Sequence, residues 1–162
     1  MSSVKGDDPV YPKRVRFHCT RCAVCCGDTW KRIRHVLLLR EEAEAISVTV
    51  NEPAEVFATK IIGRGWFVYE LKKAEGRCVF LRGKTCLVYG VRPLVCRVYP
   101  FSLSTARSGK HKFQVTLDCP GVGSGPMLSR IFFWRLLGEA RRRLRASSAA
   151  RSLAHVEPGG PG

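Results

Sequence analysis

The sequence predicts a small, single α+β domain with a few helices and short strands. Three observations lead there. The chain has 162 residues, the size of one domain with a modest core. Apolar residues make up 45% and aromatic residues 9%, globular values that exclude wholesale disorder. Helical periodicity is confined to two stretches, and between them lie short aromatic and β-branched runs broken by glycine. The expected layout is a flexible N-terminus over 1–12, one domain over 13–146 and a disordered tail over 147–162.

Taken in order, Leu39 to Ile46 is built from good helix formers and reads as a short helix. Asn51 is placed to cap a second helix running from Pro53 to Thr59, which Gly63 and Gly65 end. Trp66 to Leu71 reads as a strand, followed by a turn at Glu75-Gly76. Cys78 to Leu81 and Cys86 to Tyr89 read as two more short strands around Arg82-Gly83-Lys84, and Lys112 to Leu117 as another. Pro93 and Pro100 bracket a segment long enough for two helical turns. Gly121 to Gly125 reads as a flexible turn before the last helix, about Ser129 to Ala146. In that basic amphipathic helix Phe133, Leu137, Ala140 and Leu144 form one stripe, with Arg135, Arg142 and Arg145 opposite.

The eight cysteines carry the chemistry. Cys19, Cys22, Cys25 and Cys26 form the run C-x2-C-x2-C-C, and Cys78, Cys86, Cys96 and Cys119 follow at wide intervals. A C-x2-C unit lets two sulfurs converge on one ion, and a tetrahedral zinc site or a [4Fe–4S] cluster takes four ligands. Eight thiols therefore suit two sites, one site with spare thiols, or a binuclear arrangement. On an ideal helix, at about 100° per residue, Cys19, Cys22 and Cys26 share a face and Cys25 turns away. On an extended chain Cys25 and Cys26 point to opposite sides. In either conformation these neighbours poorly serve one metal together. The first three cysteines match the start of a bacterial ferredoxin run, whose fourth cysteine precedes proline, and Cys119-Pro120 is a remote counterpart. Zinc also uses such pairs, so Zn²⁺ and iron stay open. Disulfides are the alternative, because one asparagine, one glutamine and abundant arginine give the composition a thermophilic cast.

The chain resembles the CxxCxxCC cysteine-cluster family of zinc- or iron-chelating, YkgJ-like proteins. The resemblance rests on Cys19, Cys22, Cys25 and Cys26, then on Cys78-Val-Phe-Leu81, Cys86-Leu-Val-Tyr89 and Arg92-Pro93. It continues through Cys96-Arg97-Val-Tyr-Pro-Phe101 and Cys119-Pro-Gly121. The family often has glycine where Ala23 stands and phenylalanine where Tyr99 stands. The resemblance implies zinc or iron–sulfur binding. Some members are joined to proteins that methylate flagellin lysines, which implies a redox or accessory role.

Beside the thiols, Arg92 and Arg97 are candidates to offset thiolate charge, and His18, next to Cys19, is a candidate substitute ligand. The formal charge is +15. Lys31, Arg32 and Arg34, together with Arg142 and Arg145, make basic clusters near tryptophans that suit phosphate contact and stacking. They support an alternative reading as an RNA- or ribosome-associated basic protein with structural zinc. No G-x-S-x-G, H-E-x-x-H, P-loop or dinucleotide fingerprint is present. With no ~20-residue apolar span and no hydrophobic signal core, the chain is expected to be soluble and cytoplasmic.

Overall fold

A computed structural model describes residues 8–154. In chain order the elements are β1 (Arg16–Phe17), β2 (Leu37–Leu38), α1 (Arg40–Val50), α2 (Ala54–Phe57), β3 (Ala58–Lys60), β4 (Tyr69–Leu71) and β5 (Lys73–Ala74). Then come β6 (Arg77–Cys78), β7 (Leu81–Arg82), β8 (Thr85–Cys86), α3 (Leu94–Val98), β9 (Phe101–Thr105), β10 (His111–Val115), β11 (Val122–Met127) and α4 (Arg130–Ala154). This is a small mixed α+β domain. Its strands form five antiparallel sets: β2-β4-β3 and the pairs β1-β11, β9-β10, β5-β6 and β7-β8.

Two hydrophobic cores result. The first gathers Leu38, Ala43, Ile46, Phe57, Leu71, Phe80 and Val88 beneath the three-stranded sheet and α1. The second packs α4 on β9 and β10, with the Phe133 ring fully buried and in contact with Tyr11, Phe101, Phe113 and Phe132. Each fully buried large side chain contributes about 1.5–3 kcal/mol. Phe133, Leu137 and Ala140 are buried and Leu144 packs beside them, so the helical stripe read from the sequence is the face that meets the core. Between the cores lies α3, with Leu94 and Val98 in the second and Val95 and Cys96 against the first.

Several boundaries differ from the sequence reading, each for a local reason. Asn51 does not open the second helix. It closes α1 in the left-handed conformation at φ 55°, its N–H donating to the Ser47 carbonyl, a role asparagine tolerates well. Pro53 occupies the cap position of α2 instead. The strand expected from Trp66 is paired only over Tyr69–Leu71. The segments around Cys78 and Cys86 are two-residue ladders, with Gly83 turning between β7 and β8 at φ 59°. The turn expected at Gly121 to Gly125 is largely strand β11, and β9 was not anticipated.

Helix α4 continues past Ala146 to Ala154, with Ser147 buried. The rest of the expected tail, 155–162, lies outside the described residues, as do 1–7 of the expected flexible N-terminus. Within 8–12, Val10 pairs with β10, and Asp8 meets Arg130 and Trp134. Among the described residues no helix is long and apolar enough to cross a membrane.

Candidate metal centre

The loop carrying the four clustered cysteines is not a helix. Arg21 and Ala23 sit in the left-handed region at φ 52° and 65°, and a single 3₁₀ turn, Val24–Cys26, follows. The ideal-helix geometry for Cys19, Cys22 and Cys26 therefore does not apply. Left-handed backbone costs an L-residue roughly 1–2 kcal/mol, a physical reason for glycine to be favoured where Ala23 stands.

Backbone pairing brings the distant cysteines to this loop. The His18 N–H donates to the Gly121 carbonyl at 3.2 Å, tying the start of the cysteine loop to the segment just after Cys119. Gly27 bridges Arg77, and the Asp28 N–H donates to the Gly76 carbonyl at 2.8 Å, laying Cys26 beside Cys78. The Gly121 crossing needs glycine and the Gly27 crossing is tight. A Cβ on Gly121 would lie 2.2 Å from the His18 oxygen, and one on Gly27 would lie 3.1 Å from the Gly76 oxygen. The β7-β8 hairpin supplies Cys86, and α3 supplies Cys96.

All eight cysteines thus line one cavity of about 290 Å³, together with Arg92, Arg97, Tyr89 and Tyr99. None is in a disulfide. The Cys25 and Cys26 sulfurs are 3.9 Å apart. Among the described residues no three cysteine, histidine or carboxylate side chains already stand where they share one ion. The donor set nonetheless fits zinc or iron. It consists of soft thiols, drawn from separate segments, in a space larger than one ion.

The thiols do not titrate alike. The hydrogen bond shared with Cys26 draws the Cys25 thiol down to about 6 against burial, with Arg34 and Arg32 adding to the effect. Cys26 is pushed up by the same hydrogen bond and by burial. Burial pushes Cys96 up to about 12 and also raises Cys78 and Cys119. Metal binding in the cavity must therefore displace protons.

The arginines divide differently from the sequence reading. Arg34 Nε donates to the Cys25 carbonyl at 3.2 Å and Nη2 to the Val95 carbonyl at 3.1 Å, fastening the cysteine loop to α3. Arg32 and Arg34 both lie over the Tyr99 ring, at 5.3 and 5.2 Å. They are half-buried against Tyr99, a residue of the cavity lining, whereas the exposed Lys31 stacks on the exposed Trp30. Burial raises the pKa of the Tyr99 hydroxyl, and the neighbouring Arg32 guanidinium pulls it back down. Arg92 and Arg97 line the cavity, yet they donate to the carbonyls of Tyr89, Arg92 and Gly90. Arg142 and Arg145 are exposed on α4. His18 is exposed and does not line the cavity.

Sequence reasoning missed Tyr99, and it missed Glu42. The Glu42 carboxylate accepts from the Leu39 and Leu94 N–H groups and from Arg143, so it caps the start of α3 from another helix. Only the Glu three residues into α1 hinted at its local half of that role.

Residues 18–120 match the family model CxxCxxCC, described as "Putative zinc- or iron-chelating domain". The chain belongs to this family. An uncharacterized CxxCxxCC relative from Methanocaldococcus jannaschii is 32% identical over 112 residues, covering 68% of this chain and 58% of that protein. A second uncharacterized protein of the same organism is 27% identical over 124 residues, 74% of this chain and 41% of its own. The chain thus spans about half the length of the curated relatives it matches. No solved structure matches it.

Proposed function

We propose that the protein binds zinc or iron through cysteine thiolates gathered in this cavity. The observation that carries the reading is that eight free thiols, from segments spread across the chain, line one space of about 290 Å³. Cys25 and Cys26 are a ready pair of ligands, because their sulfurs already stand 3.9 Å apart. Metal binding releases the protons of the thiols it engages. Arg34 holds the loop against α3, so Cys25 and Cys96 stay within reach of each other. Bound zinc would supply structural cross-linking, and iron or an iron–sulfur cluster would supply one-electron chemistry in a redox or accessory role. The protein's own part is to hold the thiols, shield them with Tyr89 and Tyr99, and balance their charge with arginine.

Anaerobic purification followed by metal and acid-labile sulfide analysis tests the reading. Zinc or iron retained by wild type and lost from a Cys25→Ser, Cys78→Ser double variant supports it. Iron with stoichiometric sulfide assigns a cluster, and zinc alone assigns a mononuclear thiolate site. A folded wild-type protein that binds neither metal, with all eight thiols still reactive, overturns it. The RNA-associated reading rests on the exposed Lys31, Arg142 and Arg145 alone, since Arg32 and Arg34 are engaged by the Tyr99 ring.

A further inference from the structure

We infer that the mouth of the thiol cavity docks an acidic segment of a partner protein, received on Arg21, Lys84 and Arg92 around the exposed Tyr89 ring. This role goes beyond the metal-binding reading and does not rest on it.

The chain sorts its charge around the cysteines. Residues 9–27, which hold the four clustered cysteines, contain four Lys or Arg and no Asp or Glu. Residues 76–117, which hold Cys78, Cys86 and Cys96, contain eight Lys or Arg and again no acid. The fold gathers part of this charge at the cavity: Arg21, Lys84, Arg92 and Arg97 line it, and among the described residues no carboxylate does. Arg77 and Arg82 are exposed on the adjoining strands β6 and β7. Arg97 has Glu139 at 3.6 Å, just as Lys73 has Asp28 and Arg130 has Asp8. Arg21, Lys84 and Arg92 pair with no carboxylate among the described residues.

Three separate segments deliver these cations. Arg21 comes from the cysteine loop, Lys84 from the turn between β7 and β8, and Arg92 from the end of the 3₁₀ turn Tyr89–Val91. Arg21 and Arg92 converge on one ring, with their guanidinium carbons 5.2 and 3.8 Å from the Tyr89 centroid. A guanidinium presents its N–H donors as a fork that matches a carboxylate. Two such forks held on one ring attract an anion more strongly than either alone.

Exposure decides which anion fits. Leu87 is 54% and Tyr89 42% exposed, both just after Cys86. A small free anion leaves these apolar surfaces bare, whereas a peptide covers them with its own side chains. A nucleic acid stacks its bases on open aromatic faces, and Arg21 and Arg92 already lie on the Tyr89 ring. An acidic peptide segment satisfies the cations and the apolar pair together. Docked there, it lies against Cys19, the one exposed cysteine, at the rim of the thiols.

The test is fluorescence anisotropy of the reduced full chain with a labelled peptide alternating glutamate and leucine, at about 0.05 and 0.3 M salt. Wild type should bind this peptide, more weakly at the higher salt, and should not bind the same peptide with glutamine for glutamate. Arg21→Glu with Lys84→Glu should weaken binding about tenfold or more, because like charges then face each other. Arg142→Glu with Arg145→Glu makes the same change of net charge on α4 and should alter affinity by less than about twofold. Circular dichroism melts and Co²⁺ capacity, followed by thiolate-to-metal absorption, should match wild type in both double variants. If the first pair melts early, Lys84→Glu alone, on the exposed turn, carries the comparison. No binding of the acidic peptide by wild type at the lower salt overturns the inference. Equal losses in the two double variants overturn it as well, and so does displacement of the peptide by an equal concentration of inorganic phosphate. Tighter binding of a labelled single-stranded RNA that displaces the peptide assigns the surface to nucleic acid instead. A chain that binds the peptide but no Co²⁺ overturns the metal-binding reading and leaves the docking site standing.

Discussion

Replacing Glu42 with alanine should destabilise the whole domain. The Glu42 side chain is 3% exposed. It accepts from the Leu39 N–H at 3.0 Å, the Leu94 N–H at 2.7 Å and Arg143 Nη1 at 3.2 Å. Leu39 and Leu94 are themselves buried, so water does not replace the lost acceptor. Each orphaned buried N–H costs about 1–3 kcal/mol. Arg143 is about a quarter exposed and recovers part of its hydration, so its loss is the smallest of the three. The total is about 3–5 kcal/mol, the range for breaking a buried ion pair. At this chain length each kcal/mol moves Tm by about 2–4 °C, so the transition should fall by about 6–20 °C at neutral pH. Glu42→Gln keeps one acceptor but turns an amide donor toward another donor, and should lose about 1–3 kcal/mol. Burial raises the Glu42 pKa above its ordinary 4.5, against the pull of the two N–H groups and Arg143. A raised folded pKa means the folded chain binds this proton more tightly. The group's contribution is then full below 4.5 and falls as pH rises through the folded value. The alanine deficit should therefore be larger near about pH 4 than near about pH 8. Circular dichroism melts of wild type and both variants measure this. An alanine variant melting within about 2 °C of wild type, less than ~1 kcal/mol, would refute the reasoning.

Stripping metal with a chelator should lower Tm of the whole chain in one transition, because folding and ligand convergence are linked. At a hundredfold excess over Kd the bound form gains about 2.7 kcal/mol, and superimposable melts with and without chelator would count against it. Gly121→Ala should part β1 from β11, since its Cβ would meet the His18 oxygen at 2.2 Å. About 1–3 kcal/mol of stability and part of the Co²⁺ capacity should go together, read by melting and titration. Asn51→Gly should leave Tm nearly unchanged, while Asn51→Val should cost about 1–2 kcal/mol, because the position is left-handed. Equal melts for the two variants would show that the α1 cap conformation is not what matters.

How far the sequence disclosed this molecule depended on the range of each interaction. The α4 stripe was legible because Phe133, Leu137 and Ala140 report a 3.6-residue period that burial preserves. The cysteine cluster was legible because its spacing is itself the chemical signal. Strand lengths around Cys78 and Cys86 were not, since two-residue ladders leave no alternation to read. Asn51 was ambiguous in principle, because asparagine caps either end of a helix and only the tertiary path selects one. Arg32 and Arg34 looked like part of a basic run with Lys31, yet Tyr99, more than sixty residues on, turns them inward. No local rule contains that contact.

The site falls where the two cores meet, and this bears on what metal does to the fold. Helix α3 gives Leu94 and Val98 to one core and Val95 and Cys96 to the other, with Glu42 fixing its first N–H. The same carboxylate receives Arg143 of α4, so the two cores communicate through a pair of buried oxygens on one side. On the other side they communicate through the cysteine loop, which Arg34 fastens to the Val95 carbonyl, which Gly27 bridges to Arg77 and which His18 ties to the Gly121 carbonyl. Hydrogen bonds of this kind yield about 0.5–3 kcal/mol each, and at a hundredfold excess over Kd bound metal would add about 2.7 kcal/mol. Metal occupancy would then be a link between the cores as strong as any one of them. A chain so arranged would register loss of its metal as separation of two packed halves, which is why the proposed chelation effect should be global and not confined to the loop.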